Sequence, residues 1–310
     1  MSRRKSISRR ALLESMLAGG LGAALLPFKG LAMAAPDITK RIPSSGEALP
    51  LVGLGSWITF NVGNDRRALN SCADVVRAFF AAGGRLIDSS PMYGSSQATI
   101  GYALNKLGDP ETLFAADKVW TSSAARGPTQ IEQSRRHWDV RAFDLLQVHN
   151  LRAWERHLDL LFGMKDEGRL RYVGVTTSHG RRHGDLERIM KRHPLDFVQM
   201  TYNASHRAVE RRLLPLARER GIAVIANRPY DGGRLIRRAK REVLPSWAAE
   251  IGAANWPEFL LKFVVSHPAV NCAIPATTQV VHVRENMRAS SGLLPDQATR
   301  RRMAAHIRQL

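Results

Sequence analysis

The sequence has 310 residues, of which 44% are hydrophobic and 24% charged, a balance typical of a globular protein whose core folds without disulfides or metals. Its two cysteines, Cys72 and Cys272, are too few for a disulfide scaffold and lack the spacing of a metal site. The net charge of +19 is compatible with an anionic partner, but no nucleic-acid motif accompanies the bases, so we expect a solvated basic surface, no nucleic-acid partner and no metal.

The first 34 residues are typical of an export signal. Ser8, Arg9 and Arg10 precede an 11-residue apolar run, residues 16–26, which is too short to span a bilayer. Residues 32–34, Ala-Met-Ala, have the small-x-small pattern that signal peptidase cleaves. Because paired arginines before such a run resemble a twin-arginine signal, we predict a signal peptide over residues 1–34, the export machinery as a partner, and a periplasmic or exported location. An uncleaved anchor or a basic tail is the alternative, with a cytoplasmic location if the signal is not used.

Residues 35–310 are predicted to form one α/β domain. A hairpin comes first, in residues 38–55, with Ser44-Ser45-Gly46 as its turn. Strand-like apolar runs then alternate with helical patterns about every 25 to 32 residues, which is the size of one βα unit. The runs begin near residues 51, 85, 112, 144, 172, 197, 223 and 271.

Eight such units favour a (β/α)8 TIM barrel with an N-terminal β-hairpin. There is no Gly-x-Gly-x-x-Gly after a strand, which argues against a Rossmann domain. The long interval before the eighth run predicts an inserted loop around residues 228–246. No segment of the mature protein is apolar for long enough to be transmembrane.

Four residues of different chemistry fall at the ends of three adjacent predicted strands. Asp88 ends the second strand, with Tyr93 on the loop after it; Lys118 ends the third strand and His149 the fourth. Catalytic residues of such barrels lie at this end of the strands. An ammonium lowers the pKa of a nearby phenol, so Lys118, held by Asp88, would make Tyr93 a general acid, and His149 would orient a carbonyl oxygen. The set predicts protonation of an oxygen as a hydride reaches carbon.

With these residues, the chain resembles the aldo-keto reductase family. The similarity runs from about residue 38 to 290 and rests on eight segments in the family's order. They are LPLVGLGSW, GGRLIDSSPMYGSS, ADKVW, FDLLQVHN, EGRLRYVGVTT, DFVQMTYN, GIAVIANRPYDGGRL and AIPATTQVVHVRENM. The resemblance implies a barrel that binds a nicotinamide cofactor without a Rossmann fold and reduces aldehydes or ketones reversibly. It assigns Tyr93 as the general acid, supported by Lys118, Asp88 and His149.

The resemblance also implies which residues bind the cofactor. Gln199 would hold its carboxamide, and Glu285 and Asn286 would hold the adenine. The further matched positions are Gly55, Ser56, Trp57, Thr176, Thr177, Asn227, Arg228, Pro229, Tyr230, Gly233, Ala276, Thr277 and His282.

Several of these positions depart from the family's pattern. The pair Thr176-Thr177 replaces Ser-Asn, and Asn227 replaces a tyrosine that stacks on the cofactor ring, a role that Tyr230 would have to supply. Ala276 and His282 stand where a lysine and an arginine usually meet the 2′-phosphate of NADP. Thr277, Arg284 and Arg288 are the candidates to compensate. We expect NADP as the cofactor, with NAD as the open alternative.

The substrate is predicted to be a small-molecule carbonyl compound. Trp57, Phe60, Met92, Trp120 and Asn150 would surround it and would suit an apolar or aryl carbonyl, although each residue is equally compatible with rim packing. An exported enzyme would either keep its cofactor across turnovers or have it reoxidised by a redox partner. The second hypothesis is a cofactor-sensing binding or regulatory protein on the same scaffold with little turnover.

Overall fold

The computed structural model describes residues 38–310, so the predicted signal peptide lies outside the described residues. The described residues begin with an antiparallel hairpin in which β1 (Thr39–Arg41) pairs with β2 (Ala48–Pro50). The Ile42 N–H donates to the Glu47 carbonyl over 2.8 Å, and Gly46 turns the chain with a φ of 75°. The hairpin is therefore where the sequence predicts it.

Eight further strands lie parallel to one another in chain order. They are β3 (Leu54–Gly55), β4 (Leu86–Asp88), β5 (Phe114–Val119), β6 (Leu145–Val148), β7 (Tyr172–Thr176), β8 (Phe197–Thr201), β9 (Ala223–Asn227) and β10 (Cys272–Ala273). The first and last meet through parallel bridges, Val52 with Ala273 and Gly55 with Ala276. The Gly53 N–H donates to the Ala273 carbonyl over 2.8 Å. The strands thus curl into the predicted (β/α)8 arrangement.

Ten α-helices surround the strands in the part of the chain that the structure describes. They are α1 (Arg66–Ala81), α2 (Ser96–Leu107), α3 (Gly127–Trp138), α4 (Trp154–Asp166), α5 (His183–Arg192), α6 (Leu213–Glu219), α7 (Arg234–Ala239), α8 (Trp256–Val265), α9 (Val280–Arg288) and α10 (Gln297–Gln309). The predicted long loop after β9 contains α7 and a 3-10 helix, Ser246–Ile251. None of the helices in residues 38–310 is long and apolar enough to cross a membrane.

The helices pack on the strands through apolar faces spaced along the sequence. In α1 the buried residues Cys72, Val75, Val76 and Phe79 recur at the three- and four-residue intervals that place side chains on one helix face. Asp65 caps this helix by accepting from the backbone N–H groups of residues 67 and 68. This outer layer makes the larger of two apolar clusters.

The smaller cluster fills the inside of the barrel. It includes Leu86, Phe114, Leu145 and Phe197 from β4, β5, β6 and β8, together with the hairpin residue Leu49. Side chains alternate between the two faces of a strand. The inward residues above these four are therefore Asp88, Ala116, Gln147 and Gln199, followed by Lys118 and His149. These polar side chains thus lie at the C-terminal end of the barrel interior.

Candidate active site

A buried ion pair forms the base of the site. The Lys118 Nζ atom donates to Asp88 Oδ2 and to the Ser89 carbonyl, each over 2.6 Å, and both charged side chains are buried. Gln199 Nε2 donates to the second oxygen, Asp88 Oδ1, over 2.9 Å. Burial opposes the charge of the ammonium, but Asp88, Tyr93 and Asp117 together outweigh that effect and raise the pKa of Lys118 above its ordinary value. The lysine is therefore a fixed cation.

Tyr93 lies on the loop after β4, next to this cation. Lys118 Nζ is 5.2 Å from the centre of its ring, and the His149 ring meets it edge-on with 5.6 Å between centroids. The turn after it is tied to the loop after β3, because the Ser95 N–H donates to Asn61 Oδ1 over 2.9 Å. The phenol is thus held between the ammonium and the imidazole.

The pKa of Tyr93 differs from the sequence-based expectation. Burial raises the pKa of the phenol above its ordinary value, and the ammonium of Lys118, which acts in the predicted lowering direction, does not cancel that effect. Tyr93 therefore keeps its proton at neutral pH, as a proton donor must.

His149 follows β6 and faces the same cavity. Its Nδ1 atom is 2.7 Å from Ser90 Oγ. Burial, followed by the charge of Lys118, lowers the pKa of the imidazole to about 3. The ring is therefore neutral, and Nε2 is the nitrogen left for a ligand.

These groups open onto a cavity of about 720 Å³ at the C-terminal end of the barrel, a volume within the range of cofactor and small-molecule sites. Asp88, Tyr93 and His149 line it, whereas Lys118 lies behind them. Most of the predicted cofactor and substrate residues line it too: Gly55, Ser56, Trp57, Met92, Asn150, Thr176, Gln199, Asn227, Arg228, Pro229, Tyr230, Gly233, Ala276, Thr277, His282, Glu285 and Asn286.

Three predicted residues do not line this cavity. Phe60 is fully buried and belongs to the outer apolar cluster. Trp120 stacks against Arg152, with 5.3 Å from the guanidinium carbon to the ring centre. Thr177 meets Asn227 through its backbone carbonyl, which accepts from Asn227 Nδ2 over 2.9 Å. Phe60 and Trp120 therefore have packing roles. Of the two adjacent threonines, only Thr176 lines the cavity.

At one end of the cavity the polar groups come from the loops after β9 and β10, from the cap of α8 and from α9. Tyr230 Oη donates to Asn286 Oδ1 over 2.6 Å, and Asn255 Nδ2 donates to Glu285 Oε1 over 3.4 Å. The Thr277 hydroxyl lies 3.2 Å from His282 Nδ1. These contacts hold Glu285 and Asn286, which the resemblance associates with adenine, and Thr277 and His282, which it associates with the 2′-phosphate.

The cations at this end differ from those that the sequence suggests. Arg288 pairs with the buried Glu258 over 2.5 Å, and Arg284 is exposed away from the cavity. Arg237 and Lys240, on one face of α7, line the cavity instead. The inserted loop carries bases at positions 228, 234, 237, 238, 240 and 241, so its sequence alone does not distinguish these two from their neighbours.

The comparisons with known proteins agree on one family. The profile of the aldo/keto reductase family matches residues 51–306. Methylglyoxal reductase YeaE of Escherichia coli (strain K12) is 27% identical over 255 residues, which are 80% of this chain and 88% of the relative. An NADH-specific methylglyoxal reductase of the same organism is 26% identical over 247 residues, 67% of this chain and 73% of the relative.

A solved structure shows the same fold. It is an aldo/keto reductase from Klebsiella pneumoniae in complex with NADP and acetate, which superposes with a TM-score of 0.69 at 23% sequence identity. The superposition covers 87% of this chain and 95% of that chain.

Proposed function

The chain belongs to the aldo/keto reductase family of NAD(P)-dependent oxidoreductases, and we propose that it reduces aldehydes or ketones to alcohols, reversibly, with Tyr93 as the proton donor. The observation that carries this proposal is the convergence of a protonated phenol, a buried Lys118–Asp88 pair and a neutral His149 at one cavity.

The residues around the cavity fit a nicotinamide cofactor. Gln199 donates to Asp88 through Nε2, so its amide oxygen is the atom left to accept from a carboxamide. Arg228, Arg237 and Lys240 contribute cations to the wall where phosphates would be held. When bound, the cofactor supplies the hydride.

The side chains of this protein handle the proton. The Tyr93 hydroxyl donates its proton to the carbonyl oxygen of the substrate. Lys118, kept charged and in place by Asp88, stabilises the phenolate that Tyr93 becomes. His149 is neutral and orients the same oxygen. Alcohol oxidation uses the same groups in reverse.

NADP is the cofactor that we propose. It is supported by the family, by the cations on the cavity wall and by the structural neighbour that binds NADP. NAD stays as the alternative, because Ala276 and His282 replace the usual phosphate contacts and one relative is named as NADH-specific. Fluorescence titrations of the purified protein with NADPH and NADH distinguish the two.

The substrate is proposed to be an apolar, aryl or small dicarbonyl compound. Trp57 and Met92 present apolar surface, each 39% exposed, beside Tyr93 and His149. Methylglyoxal belongs in the test panel because two relatives are named for its reduction.

A steady-state assay of the purified mature protein tests the proposed activity. The loss of NADPH or NADH absorbance is followed over a panel of aldehydes and ketones. Turnover with at least one carbonyl supports the enzyme. Absence of turnover with both cofactors, together with one stoichiometric partner in a pull-down, would favour the binding or regulatory protein, for which the altered residues at positions 276 and 282 are the supporting observation.

Export of the folded domain, residues 35–310, is part of the proposal and rests on the sequence motif. A signal over residues 1–34 would deliver the enzyme with its cofactor, or to a redox partner that reoxidises it. Arg9→Lys combined with Arg10→Lys tests this, because a twin-arginine signal requires the arginines. Retention of the double variant in the cytoplasm supports export. Unchanged fractionation would point to a location set by other means.

A further inference from the structure

Ser90 is a buried residue whose hydroxyl contacts His149 but has no role in the proposed proton transfer. It lies two residues after Asp88, on the loop that carries Tyr93, and none of its surface is exposed. Its Oγ atom is 2.7 Å from His149 Nδ1 and 3.2 Å from the backbone nitrogen of Met92. The Ser90 carbonyl accepts the Tyr93 N–H over 2.9 Å. The residue therefore connects the proton donor to the imidazole.

The hydrogen bonds of this hydroxyl determine the tautomer of the imidazole. A serine hydroxyl has one hydrogen to donate, whereas a neutral imidazole carries its proton on one of two nitrogens. The Met92 N–H can only donate, so Ser90 Oγ accepts it. If His149 Nδ1 also carried a proton, the Ser90 hydrogen would have no acceptor among the residues that the structure describes. Buried donors in native proteins are almost always paired.

With a bare Nδ1 the Ser90 hydroxyl, His149 Nδ1 and the Met92 N–H are all paired. The Ser90 hydroxyl then donates to His149 Nδ1 and accepts from Met92. The imidazole proton is left on Nε2, the nitrogen that remains for a ligand in the cavity. The low pKa of His149 agrees with this arrangement, since a neutral ring needs one bare nitrogen.

We propose that Ser90 is a positioning residue that fixes His149 as the Nε2–H tautomer, so that this nitrogen donates a hydrogen bond to the carbonyl oxygen of the substrate. The catalytic part of this inference rests on the proposed carbonyl reduction, whereas the tautomer does not. A group that hydrogen-bonds to one nitrogen of a functional imidazole determines which of the two nitrogens carries the proton.

The direct test is nitrogen-15 NMR of the full protein with labelled histidine, in which His149 is assigned from its loss in His149→Asn. The expected wild-type spectrum has a protonated Nε2 and a bare Nδ1 that accepts a hydrogen bond. In Ser90→Ala the Nδ1 signal should move to that of an unbonded nitrogen, or the ring should populate both tautomers. A protonated Nδ1 in the wild-type protein would overturn the inference, whether or not any carbonyl is turned over.

The kinetic test separates positioning from packing. Ser90→Ala should lower kcat/KM for reduction about 10- to 100-fold, the size of effect expected when the partner that orients a functional imidazole is lost, while NADPH affinity stays the same. Ser90→Thr keeps a hydroxyl and should recover most of the loss. Ser96→Ala is the matched control, because it removes a buried hydroxyl that bonds to Ser89 Oγ over 2.9 Å, and it should retain wild-type kinetics.

The outcomes also separate this inference from the proposed function. If the wild-type enzyme reduces carbonyls and Ser90→Ala has the same kcat/KM, the positioning role is rejected and the proposed function stands. Should Ser90→Ala fail to fold, Ser90→Thr and the wild-type spectrum still decide the matter. A wild-type protein without turnover but with the Nε2–H tautomer would retain the geometry and reject the proposed activity.

Discussion

The surroundings of Tyr93 favour its protonated form. Burial raises the pKa of the phenol, and Lys118 Nζ lies 5.2 Å from the centre of its ring. Tyr93→Phe keeps the ring and removes only the proton, so kcat for reduction should fall about 10²- to 10⁴-fold with NADPH affinity almost unchanged. Stopped-flow assays and fluorescence titrations measure the two quantities. Tyr102→Phe is the control, since that hydroxyl bonds to Asn70 on α1, and wild-type turnover in Tyr93→Phe would refute the mechanism.

The pH dependence of reduction follows from the same residues. His149, with a pKa of about 3, stays neutral across the physiological range, and the pKa of Tyr93 is raised. Reduction needs the protonated phenol, so its kcat should be flat from about pH 5 to about pH 9 and fall only above the raised pKa. Oxidation needs the phenolate and should rise with pH. Initial rates in both directions test this, and a break in reduction near the ordinary histidine pKa would contradict it.

At the residue scale the catalytic set could be predicted because strand ends are fixed by periodicity. Asp88, Lys118 and His149 each continue an inward-facing row of a strand. Ser90 carries no comparable signal, since a serine after a strand is an ordinary turn residue. Phe60 was expected on the cavity wall, but sequence does not reveal which way a loop residue turns, and this one turns into the core.

The loop that presents Tyr93 depends on one glycine. Gly94 has a φ of 62°, and a Cβ there would lie 2.2 Å from Asn61 Oδ1, the atom that holds the Ser95 N–H. Gly94→Ala should therefore displace the loop and lower kcat at least tenfold, in addition to a stability cost of about 1–2 kcal/mol for a left-handed alanine.

The matched control for this change is Gly108→Ala. Gly108 follows α2 with a φ of 78° and has no neighbour within 4 Å of an added Cβ, so the variant should lose similar stability and keep its kcat. Thermal unfolding and steady-state rates on both variants make the comparison. Equal kcat in the two would mean that the Asn61 contact does not position Tyr93.

The short helix α7 is predicted to set the cofactor preference. Arg237 and Lys240 line the cavity and form no ion pair with another described residue. Arg237→Gln and Lys240→Gln should each weaken NADPH binding about tenfold, or ~1.4 kcal/mol, and leave NADH binding nearly unchanged. Titrations with both cofactors measure the ratio, with Arg241→Gln, an exposed residue off the cavity, as control. An unchanged ratio would place the 2′-phosphate elsewhere.

At the scale of the whole molecule, the barrel could be predicted because its units repeat. Each βα unit consists of a buried strand followed by an amphipathic helix. Even the two-residue strands β3 and β10 lie within apolar runs that the sequence analysis identified. The inserted loop after β9 was predicted from the length of the interval alone. Its path could not be predicted, because Arg228 and Asp231 adopt positive φ values of 52° and 53°, which residues other than glycine rarely do. The side chains that reach the cavity from this loop follow from that path.

Acid should destabilise the whole fold through a buried histidine, His149, and a half-buried one, His267. Burial lowers the pKa of His149 to about 3, and burial together with Arg300 lowers that of His267 to about 4. His267 packs edge-on against Tyr202, and its carbonyl accepts from Lys40 of the hairpin over 2.7 Å. The unfolded chain takes up a proton on each near pH 6.5, where the folded protein does not. Stability is therefore full above about pH 6.5 and is lost as the pH falls towards 4.

The expected loss is about 1.4 kcal/mol per pH unit for the buried His149, and it is smaller for the partly exposed His267, because solvent screens its charge. In His267→Asn, one of the two contributions is gone, so the free energy of unfolding should fall less steeply below about pH 6.5 even if the variant starts from a lower value at neutral pH. Urea unfolding at several pH values measures the slopes. His137→Asn, which changes an exposed histidine on α3, should follow the wild-type slope. Parallel curves for His267→Asn and the wild-type protein would show that His267 has the same pKa in the folded and unfolded states, and that the contact between the hairpin and the end of α8 tolerates a charged imidazole.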